Sequence, residues 1–283
     1  MSSTDREMMS RALQLAAKGC YTTSPNPAVG CVITLDGAIV AEGYTRPAGG
    51  NHAEIEALQS AGNIAGATAY VTLEPCSHQG KTGPCADALI AAGIARVVIA
   101  GEDPNPQVAG AGIKKLQAAG IEVDVGLLED QARDINPGFI KRQEQGTPWV
   151  TVKMAASLDG RTAMASGQSQ WITTPAARQD VQRLRATCCA IITGIGTQLM
   201  DDPSLTVRIT NEDVGVEDPL RQPLRVVVDS RLQMSPEARM FGQPGATVVA
   251  TLDGAEQRTK AEALTAAGAE VIFLPALGEH IDL

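Results

Sequence analysis

Three residues that are far apart in the sequence, His52, Cys76 and Cys85, most constrain how this chain of 283 residues folds. An imidazole and two thiols are ligands that Zn²⁺ prefers, and the sequence offers no obvious fourth protein ligand. Structural zinc sites are normally closed by four protein ligands, whereas catalytic sites keep one position for water. The sequence therefore predicts a fold that brings these three side chains to one metal ion. Alone, a core histidine and two buried thiols would each be unremarkable.

The residues around these ligands add a carboxylate to the metal chemistry. Glu54 stands two residues after His52, and Pro75 precedes Cys76, which gives the order His-x-Glu, then Pro-Cys, then Cys. Zinc-dependent deaminases of nucleobases use this order, and their glutamate transfers protons instead of binding the metal. Residues i and i+2 do not share a helix face, so Glu54 is interpreted as the general acid and base. A non-catalytic zinc module would have no use for such a carboxylate.

The loop between the two cysteines is longer than in the generic signature. Eight residues separate Cys76 from Cys85, whereas the short form Pro-Cys-x-x-Cys has only two. The loop carries His78 and Lys81 among glycine and proline residues, so these two donors could contact a phosphorylated substrate beside the metal. A solvated turn is an equally good interpretation of this composition.

Helical and strand patterns alternate along the chain, which predicts an α/β fold. In the first half we expect helices near 5–18, from 52, from 85 and over 110–120, and strands near 29–34, 38–43, 68–73, 95–101 and 121–126. A polar stretch ending in Gly-Thr-Pro places a boundary near 145–147, so we predict domains over 1–146 and 147–283. In the second half we expect a helix over 175–188, and strands from 148, over 188–194, 224–230, 246–251 and 269–274.

Composition and charge argue against several classes of protein. The formal net charge of −9 disfavours a nucleic-acid surface, because binding to phosphates depends on Lys and Arg. No apolar run approaches the ~18 residues of a membrane span, and the N-terminus lacks the pattern of a signal peptide. We therefore expect a cytoplasmic protein without a nucleic-acid or membrane partner. Its six cysteines are interpreted as metal ligands and buried thiols, with Cys31, Cys188 and Cys189 predicted to lie in cores.

Longer motifs make the comparison with known families specific. The segments "TTSPNPAVGCVI", "HAEIEAL", "AYVTLEPCSHQGKTGPCADALI" and "DPNPQVAGAGI" resemble the deaminase half of the bifunctional riboflavin-biosynthesis deaminase–reductases. The segments "VKMAASLDGRTAMASGQSQWIT" and "GIGTQLMDDPSLTVR" resemble the reductase half. The resemblance implies a cytidine-deaminase-like three-layer α/β/α domain followed by a dihydrofolate-reductase-like α/β domain. It also implies Zn²⁺ and NADP(H) as cofactors and a diamino-pyrimidinone ribosyl phosphate as the substrate, which is first deaminated and then reduced to a ribityl compound.

The same resemblance implies roles for individual residues. In the deaminase half it implies Asn26 as a substrate-binding residue, although an Asn-Pro turn explains this position as well; His78 and Lys81 complete the predicted set. Near NADP it implies Ala155, Trp171, Thr197, Asp201 and Ser230. Near the reductase substrate it implies Lys153, Ser169, Arg185, Leu205 and Arg208, with Asp159 as a further member. Two of these have structural alternatives, since a cation suits a helix C-terminus, as at Arg185, and Trp171 would suit a core.

The second half also departs from the family pattern. The family continues into a Gly-rich segment beginning with a glutamate, and this sequence lacks it, so we expect a C-terminally truncated reductase half whose activity is in doubt. The Gly-x-Gly of "TGIGT" follows a predicted buried strand, where backbone N–H groups can approach a phosphate, but no G-x-G-x-x-G fingerprint supports a Rossmann domain. An alternative is a monofunctional deaminase whose C-terminal half is an oligomerisation or interaction module. In either case we expect a homo-oligomer.

Overall fold

The computed structural model describes residues 1–78, 83–106, 108–278 and 280–282, and it divides into two compact units. Unit 1 comprises Met1–Met154 and Gly215–Pro219, and unit 2 comprises Ala155–Val214 and Leu220–Leu283. Both units are α/β, as the alternation of patterns predicts. Within the described ranges, no helix is both long and apolar enough to cross a membrane.

Unit 1 contains six helices and five strands among its described residues. The elements are α1 (Ser3–Gly19), β1 (Gly30–Leu35), β2 (Ala38–Tyr44), α2 (Ala53–Ser60), β3 (Thr68–Val71), α3 (Cys85–Ala91), β4 (Arg96–Ile99), α4 (Ala111–Ala118), β5 (Glu122–Val125), α5 (Glu129–Ile135) and α6 (Pro137–Gln145). Helix α1 begins with a capping box, in which the Ser2 hydroxyl accepts from the Asp5 N–H and the Asp5 carboxylate accepts from the Ser2 N–H. Helices α5 and α6 occupy the polar stretch before the expected domain boundary, where no helix or strand was predicted.

The sheet of unit 1 has the strand order β2-β1-β3-β4-β5. Strand β1 pairs antiparallel with β2 and β3, while β3, β4 and β5 are parallel. Alternate residues of each strand face opposite sides of a sheet, and here both sides are covered. Cys31 and Val97 face a core that includes Ala57 of α2 and Leu89 of α3. Val32 and Val98 face the second core, which includes Met9 of α1. Unit 1 is therefore a three-layer α/β/α domain.

Two glycines allow helices to lie directly against strands in unit 1. A Cβ atom on Gly30 of β1 would lie 1.9 Å from the carbonyl oxygen of Ala12 in α1. A Cβ on Gly43 of β2 would lie 2.3 Å from the carbonyl oxygen of Ala53 in α2. Since real Cβ atoms do not approach a carbonyl so closely, glycine is required at both contacts. The second contact matters for function because α2 carries Glu54.

Unit 2 is built around a parallel sheet with the order β6-β7-β8-β9. Its elements are α7 (Pro175–Thr187), β6 (Ala190–Gly194), α8 (Ile195–Asp201), α9 (Asn211–Val214), β7 (Leu224–Val228), a 3₁₀ turn (Arg239–Gly242), β8 (Thr247–Leu252), α10 (Ala255–Ala266), β9 (Ala269–Leu274), β10 (Ala276–Leu277) and β11 (His280–Ile281). Strands β10 and β11 form a separate two-stranded sheet. Val227, Val249 and Leu264 belong to one core on the α10 side of the main sheet.

Three expectations for the second half are wrong. A strand was expected to begin at Pro148. Residues 148–157 form no strand, and Val152 among them is 81% exposed. Apolar alternation supplies a suitable face, but a strand also needs a hydrogen-bonded neighbour. Strand β6 is not buried, since Ile192 is 66% exposed. Cys188 is half-buried and Cys189 is exposed, so neither lies in a core, whereas Cys31 is fully buried as expected.

Candidate active site

Unit 1 brings His52, Cys76 and Cys85 together from three separate elements. His52 is the N-cap residue of α2, Cys76 lies in the loop after β3, and Cys85 is the first residue of α3. The Nδ1 atom of His52 lies 3.6 Å from the Sγ atom of Cys76 and 3.4 Å from that of Cys85. Bonds of about 2.3 Å to sulfur and 2.0–2.1 Å to nitrogen, at tetrahedral angles, separate such ligand atoms by about 3.6 Å. The three side chains thus have the spacing of ligands around one tetrahedral zinc ion.

The same contacts decide how the two thiols share protons. A hydrogen bond from the Cys85 thiol, helped by His52, lowers the pKa of Cys76 against the opposing effect of burial. Donation to Cys76 and burial together raise the pKa of Cys85. The backbone N–H of Cys85 also donates to the Cys76 sulfur, at 3.3 Å. The hydrogen bond with Cys76 raises the pKa of His52. Both shifts favour the thiolate at Cys76 over that at Cys85, and the thiolate is the form that binds metal.

Glu54 lies in the first turn of α2, next to this cluster, and is only 3% exposed. Burial raises the pKa of its carboxyl group to about 7. A hydrogen bond from the backbone N–H of Glu54 stabilises the charged form and so lowers the pKa, but burial has the larger effect. A general acid–base catalyst works best when its pKa is near the operating pH. Folding thus converts an ordinary carboxyl group into one that can exchange protons at neutral pH.

A cavity of about 470 Å³ opens onto the cluster. His52, Glu54 and Cys76 lie in its wall, together with the predicted substrate-binding residues Asn26 and His78. Lys81, which was predicted with them, lies outside the described residues. A cavity of this size suits a small organic ligand, because such sites typically enclose about 300–1,000 Å³.

Among the polar residues of this cavity wall, sequence reasoning missed Glu74, Asp103 and Asn105, as well as Thr45 of the loop after β2. Glu74 follows β3, while Asp103 and Asn105 follow β4, so they stand beyond the carboxyl ends of neighbouring parallel strands. Ligands of open α/β sheets bind at that edge, and this rule could have found all three. Burial raises the pKa of Asp103.

In unit 2, three of the predicted NADP residues stand at one edge of the sheet. Thr197 and Asp201 lie on α8, which follows β6 directly, and Ser230 lies two residues after the end of β7. Gly194 of β6 is paired with Val228 of the parallel strand β7, so the two strands end at the same edge of the sheet. Ala155 and Trp171 lie instead in irregular chain before α7. Trp171 is 69% exposed, which rules out the core interpretation, and its ring stacks with Arg178, whose Cζ is 4.4 Å from the centroid.

The predicted reductase substrate residues are partly brought together. A guanidinium nitrogen of Arg185 donates to the carbonyl oxygen of Thr206 at 3.2 Å, next to the buried Leu205. The backbone N–H of Arg208 donates to Gln182, one turn before Arg185 on α7, at 3.0 Å. Burial, and then the charge of Arg208, lower the pKa of Arg185. Two neighbouring cations of this kind favour an anion beside them. Lys153 and Asp159 are exposed and Ser169 is half-buried, all in the irregular chain that precedes α7.

Comparison with protein families separates the chain into the same two kinds of domain. Residues 2–101 match the family described as the cytidine and deoxycytidylate deaminase zinc-binding region. Residues 148–283 match the RibD C-terminal domain. The first match includes all three residues of the His–Cys–Cys cluster and Glu54, and the second includes every residue predicted near NADP.

Individual relatives match across both halves. The riboflavin biosynthesis protein RibD of Escherichia coli is 57% identical over 249 residues, which are 86% of this chain and 68% of that protein. The structure of Acinetobacter baumannii RibD is 45% identical, with a TM-score of 0.87 over 97% of this chain and 75% of that one. A Thermotoga maritima diaminohydroxyphosphoribosylaminopyrimidine deaminase/5-amino-6-(5-phosphoribosylamino)uracil reductase is 36% identical, with a TM-score of 0.81 over 95% of this chain and 80% of that one. This chain therefore belongs to the RibD family of riboflavin biosynthesis proteins, which join a zinc-dependent deaminase to an NADPH-dependent reductase.

Proposed function

We propose that this chain carries both activities of its family. The first is hydrolytic deamination of 2,5-diamino-6-ribosylamino-4(3H)-pyrimidinone 5′-phosphate, and the second is NADPH-dependent reduction of the ribosyl to a ribityl side chain. The observation that carries the proposal is the cluster of His52, Cys76 and Cys85 beside a cavity whose wall contains the buried Glu54. We assign the deaminase to residues 1–146, with Zn²⁺, and the reductase to residues 147–283, with NADP(H).

In the deaminase, His52, Cys76 and Cys85 would hold the zinc ion, and their spacing fits its bond lengths. A bound zinc ion lowers the pKa of a water molecule from about 15.7 toward about 7 and so supplies a nucleophile at neutral pH. Glu54 accepts the proton of the attacking water on its carboxylate. It then delivers protons to the ring nitrogen and to the departing amine, so that water is consumed and ammonia is released. Its pKa of about 7 allows both directions of transfer.

The substrate occupies the cavity beside this cluster. Asn26 offers both a donor and an acceptor to the edge of the pyrimidine ring. His78 lies in the wall on the cysteine loop, which supports our assignment of His78 to the ribosyl phosphate, and we assign the same role to Lys81 of that loop.

In the reductase, Thr197, Asp201 and Ser230 would contact NADP at the carboxyl edge of the parallel sheet, together with Ala155 and Trp171. Arg185 and Arg208 provide paired cations for the substrate phosphate, with Leu205 between them in the sequence. We assign Lys153 and Ser169 to the same substrate, and Asp159 as a further member of that site.

The alternative, a monofunctional deaminase with a C-terminal interaction module, is not favoured, because the RibD C-terminal domain match covers residues 148–283. The protein acts on a small molecule. We further propose that it works in the cytoplasm as a homo-oligomer, without nucleic-acid or membrane partners; its net charge of −9 supports the absence of a nucleic-acid surface.

The test is a coupled assay on the zinc-loaded full chain. Ammonia release from the diamino-pyrimidinone ribosyl phosphate should begin at once, and NADPH oxidation should follow only as the deaminated product accumulates. Removal of zinc by a chelator should stop ammonia release, and NADPH oxidation should stop with it because no deaminated product forms. Deaminated compound that is supplied separately should still be reduced. Ammonia release without any NADPH oxidation would favour the monofunctional alternative, and zinc-independent ammonia release would contradict the assignment of the deaminase site.

A further inference from the structure

The cavity wall contains a second buried carboxylate whose hydrogen bonds all come from the backbone. Glu74 is 4% exposed and lies two residues before Cys76. Its Oε1 atom accepts from the N–H groups of Gly112 at 2.8 Å and Ile113 at 3.2 Å. Its Oε2 atom accepts from those of Gly110 at 2.9 Å and Asp103 at 3.2 Å. Both oxygens thus accept from backbone donors of the segment after β4.

These four donors belong to the chain that follows β4 and enters α4. Asp103 begins the segment that places Asn105 in the cavity wall, and Gly110, Gly112 and Ile113 form the start of α4. The Glu74 N–H also donates to the carbonyl oxygen of Gly101, at 3.0 Å. Glu74 therefore ties the segment formed by residues 101–103 and 110–113, which flanks Asn105 and Val108 of the wall, to the chain that carries Cys76.

The packing beside Glu74 leaves no room for this segment to shift toward it. A Cβ atom on Gly112 would lie 2.0 Å from the carbonyl oxygen of Pro75 and 3.1 Å from Oε1 of Glu74. The start of α4 thus lies directly against the Glu74–Pro75 backbone. Movement away from Pro75 would break hydrogen bonds to the Glu74 carboxylate, which are stronger than bonds between neutral groups.

From this arrangement we propose that Glu74 is a positioning residue of the deaminase, which holds the wall carrying Asp103 and Asn105 at a set distance from the Cys76 ligand. The inference builds on the proposed deaminase function. If the wall is released, only a fraction of molecules has the binding-competent cavity, and the apparent affinity falls by that fraction. Chemistry in the bound state would change less, because Glu54 and His52 lie on α2, which the released segment does not include.

The test uses Glu74→Gln in the zinc-loaded full chain. This substitution keeps the size of the side chain but replaces one accepting oxygen with an NH₂ group, which cannot accept hydrogen bonds from backbone N–H groups. We expect KM for the diamino-pyrimidinone ribosyl phosphate to rise about tenfold or more, with kcat within about threefold of wild type and zinc content unchanged. Glu102→Gln is the control, since it removes the same charge from an exposed residue of the same segment. Amide hydrogen exchange should be faster in Glu74→Gln at Asp103, Gly110 and Gly112, but not in the control.

The exchange measurement is independent of substrate, so it separates failure of this inference from failure of the proposed function. An inactive wild-type chain would contradict the proposed function, while exchange at the three amides would still decide whether Glu74 anchors the wall. Unchanged exchange in Glu74→Gln, or a loss confined to kcat, would overturn the inference. A lower melting temperature of Glu74→Gln with an unchanged KM would also overturn the inference, because it would show that Glu74 stabilises the fold without affecting substrate binding. If Glu74→Gln does not fold, Gly112→Ala forces the same displacement from Pro75 and should raise KM in the same way.

Discussion

The carboxylate of Asp5 and the guanidinium of Arg96 form a largely buried ion pair, with Nη1 2.8 Å from Oδ1, that joins α1 to β4. The Tyr70 hydroxyl donates to the same oxygen at 2.9 Å, which adds β3 to the contact. Hydrogen bonding to Arg96 is the largest cause that holds the pKa of Asp5 well below its usual range. Residues 91 positions apart thus connect three elements of unit 1.

The Asp5 pair should make unit 1 sensitive to acid. A lowered pKa stabilises the fold above the unfolded-state pKa of about 3.9, and that contribution is lost as the pH falls from there toward the lowered value. At pH 7, Asp5→Asn should lower the free energy of unfolding by about 1.5–3 kcal/mol, because it removes the more buried carboxylate from Arg96, which keeps its ion pair with Asp124. Urea denaturation at pH 7 and pH 3 measures this difference, which should shrink at pH 3. Asp87→Asn, in an exposed pair with Lys115, should change stability by only about 0–1 kcal/mol.

The His–Cys–Cys cluster should hold about one zinc ion per chain. Cys76→Ser and Cys85→Ser should each lose most of this metal, because serine replaces a thiolate with a poorly ionised hydroxyl group. Metal analysis of the purified chains is the measurement. Cys189→Ser is the control, since this exposed cysteine lies in the other unit. Full zinc retention in both cluster variants would show that other residues bind the metal.

Glu54→Gln should keep zinc and fold but remove most deaminase turnover. A positioned acid–base group contributes about 10²–10⁴-fold to a rate, and here it serves several proton transfers. We expect a loss in kcat within or above that range, measured as ammonia release by a zinc-loaded protein. Glu7→Gln, which removes the same charge from an exposed position on α1, should be unaffected. Near-normal turnover in folded Glu54→Gln would assign the proton transfers to another group.

Gly43→Ala should displace α2 from β2, because its Cβ would lie 2.3 Å from the carbonyl oxygen of Ala53. Such overpacking costs about 1–3 kcal/mol, and the shift moves Glu54 relative to the metal ligands. We expect a lower melting temperature together with reduced deaminase activity. Gly62→Ala is the matched control, since a Cβ at that position meets nothing within 4 Å. Equal activity in the two variants would mean that α2 does not need this close contact.

Arg208→Gln should weaken binding of the phosphorylated reductase substrate. Its charge lies near Arg185, and loss of one charged hydrogen bond costs about 1.5–3 kcal/mol, which corresponds to about tenfold or more in KM. NADPH oxidation at varied concentrations of the deaminated compound measures it. Arg183→Gln, two residues before Arg185 on the same helix, should leave KM unchanged. A larger rise in KM for Arg183→Gln than for Arg208→Gln would show that the substrate phosphate does not bind at Arg208.

Sequence alone singled out His52, Cys76, Cys85 and Glu54, which the fold brings together, because ligand chemistry resides in residue type and order. The alternation of patterns also predicted the α/β class, and most expected elements of the first half formed within a few residues of their predicted bounds. The strand expected from Pro148 shows the limit of this reasoning. A pattern can describe the face that a strand presents, but only the fold can supply the strand that pairs with it.

Tertiary structure alone decided the electrostatics and the fit of the site. The sequence places Glu54 near His52, but burial in the folded chain is what brings the pKa of Glu54 to about 7. In the sequence, Glu74 is only a glutamate before a Pro-Cys pair, and folding gives it four backbone donors from residues 29 to 39 positions away. The pairing of Asp5 with Arg96 arises in the same way. Residue type determines which chemistry is available, whereas desolvation and long-range packing determine the strength and position of each group, since both depend on neighbours distant in the sequence.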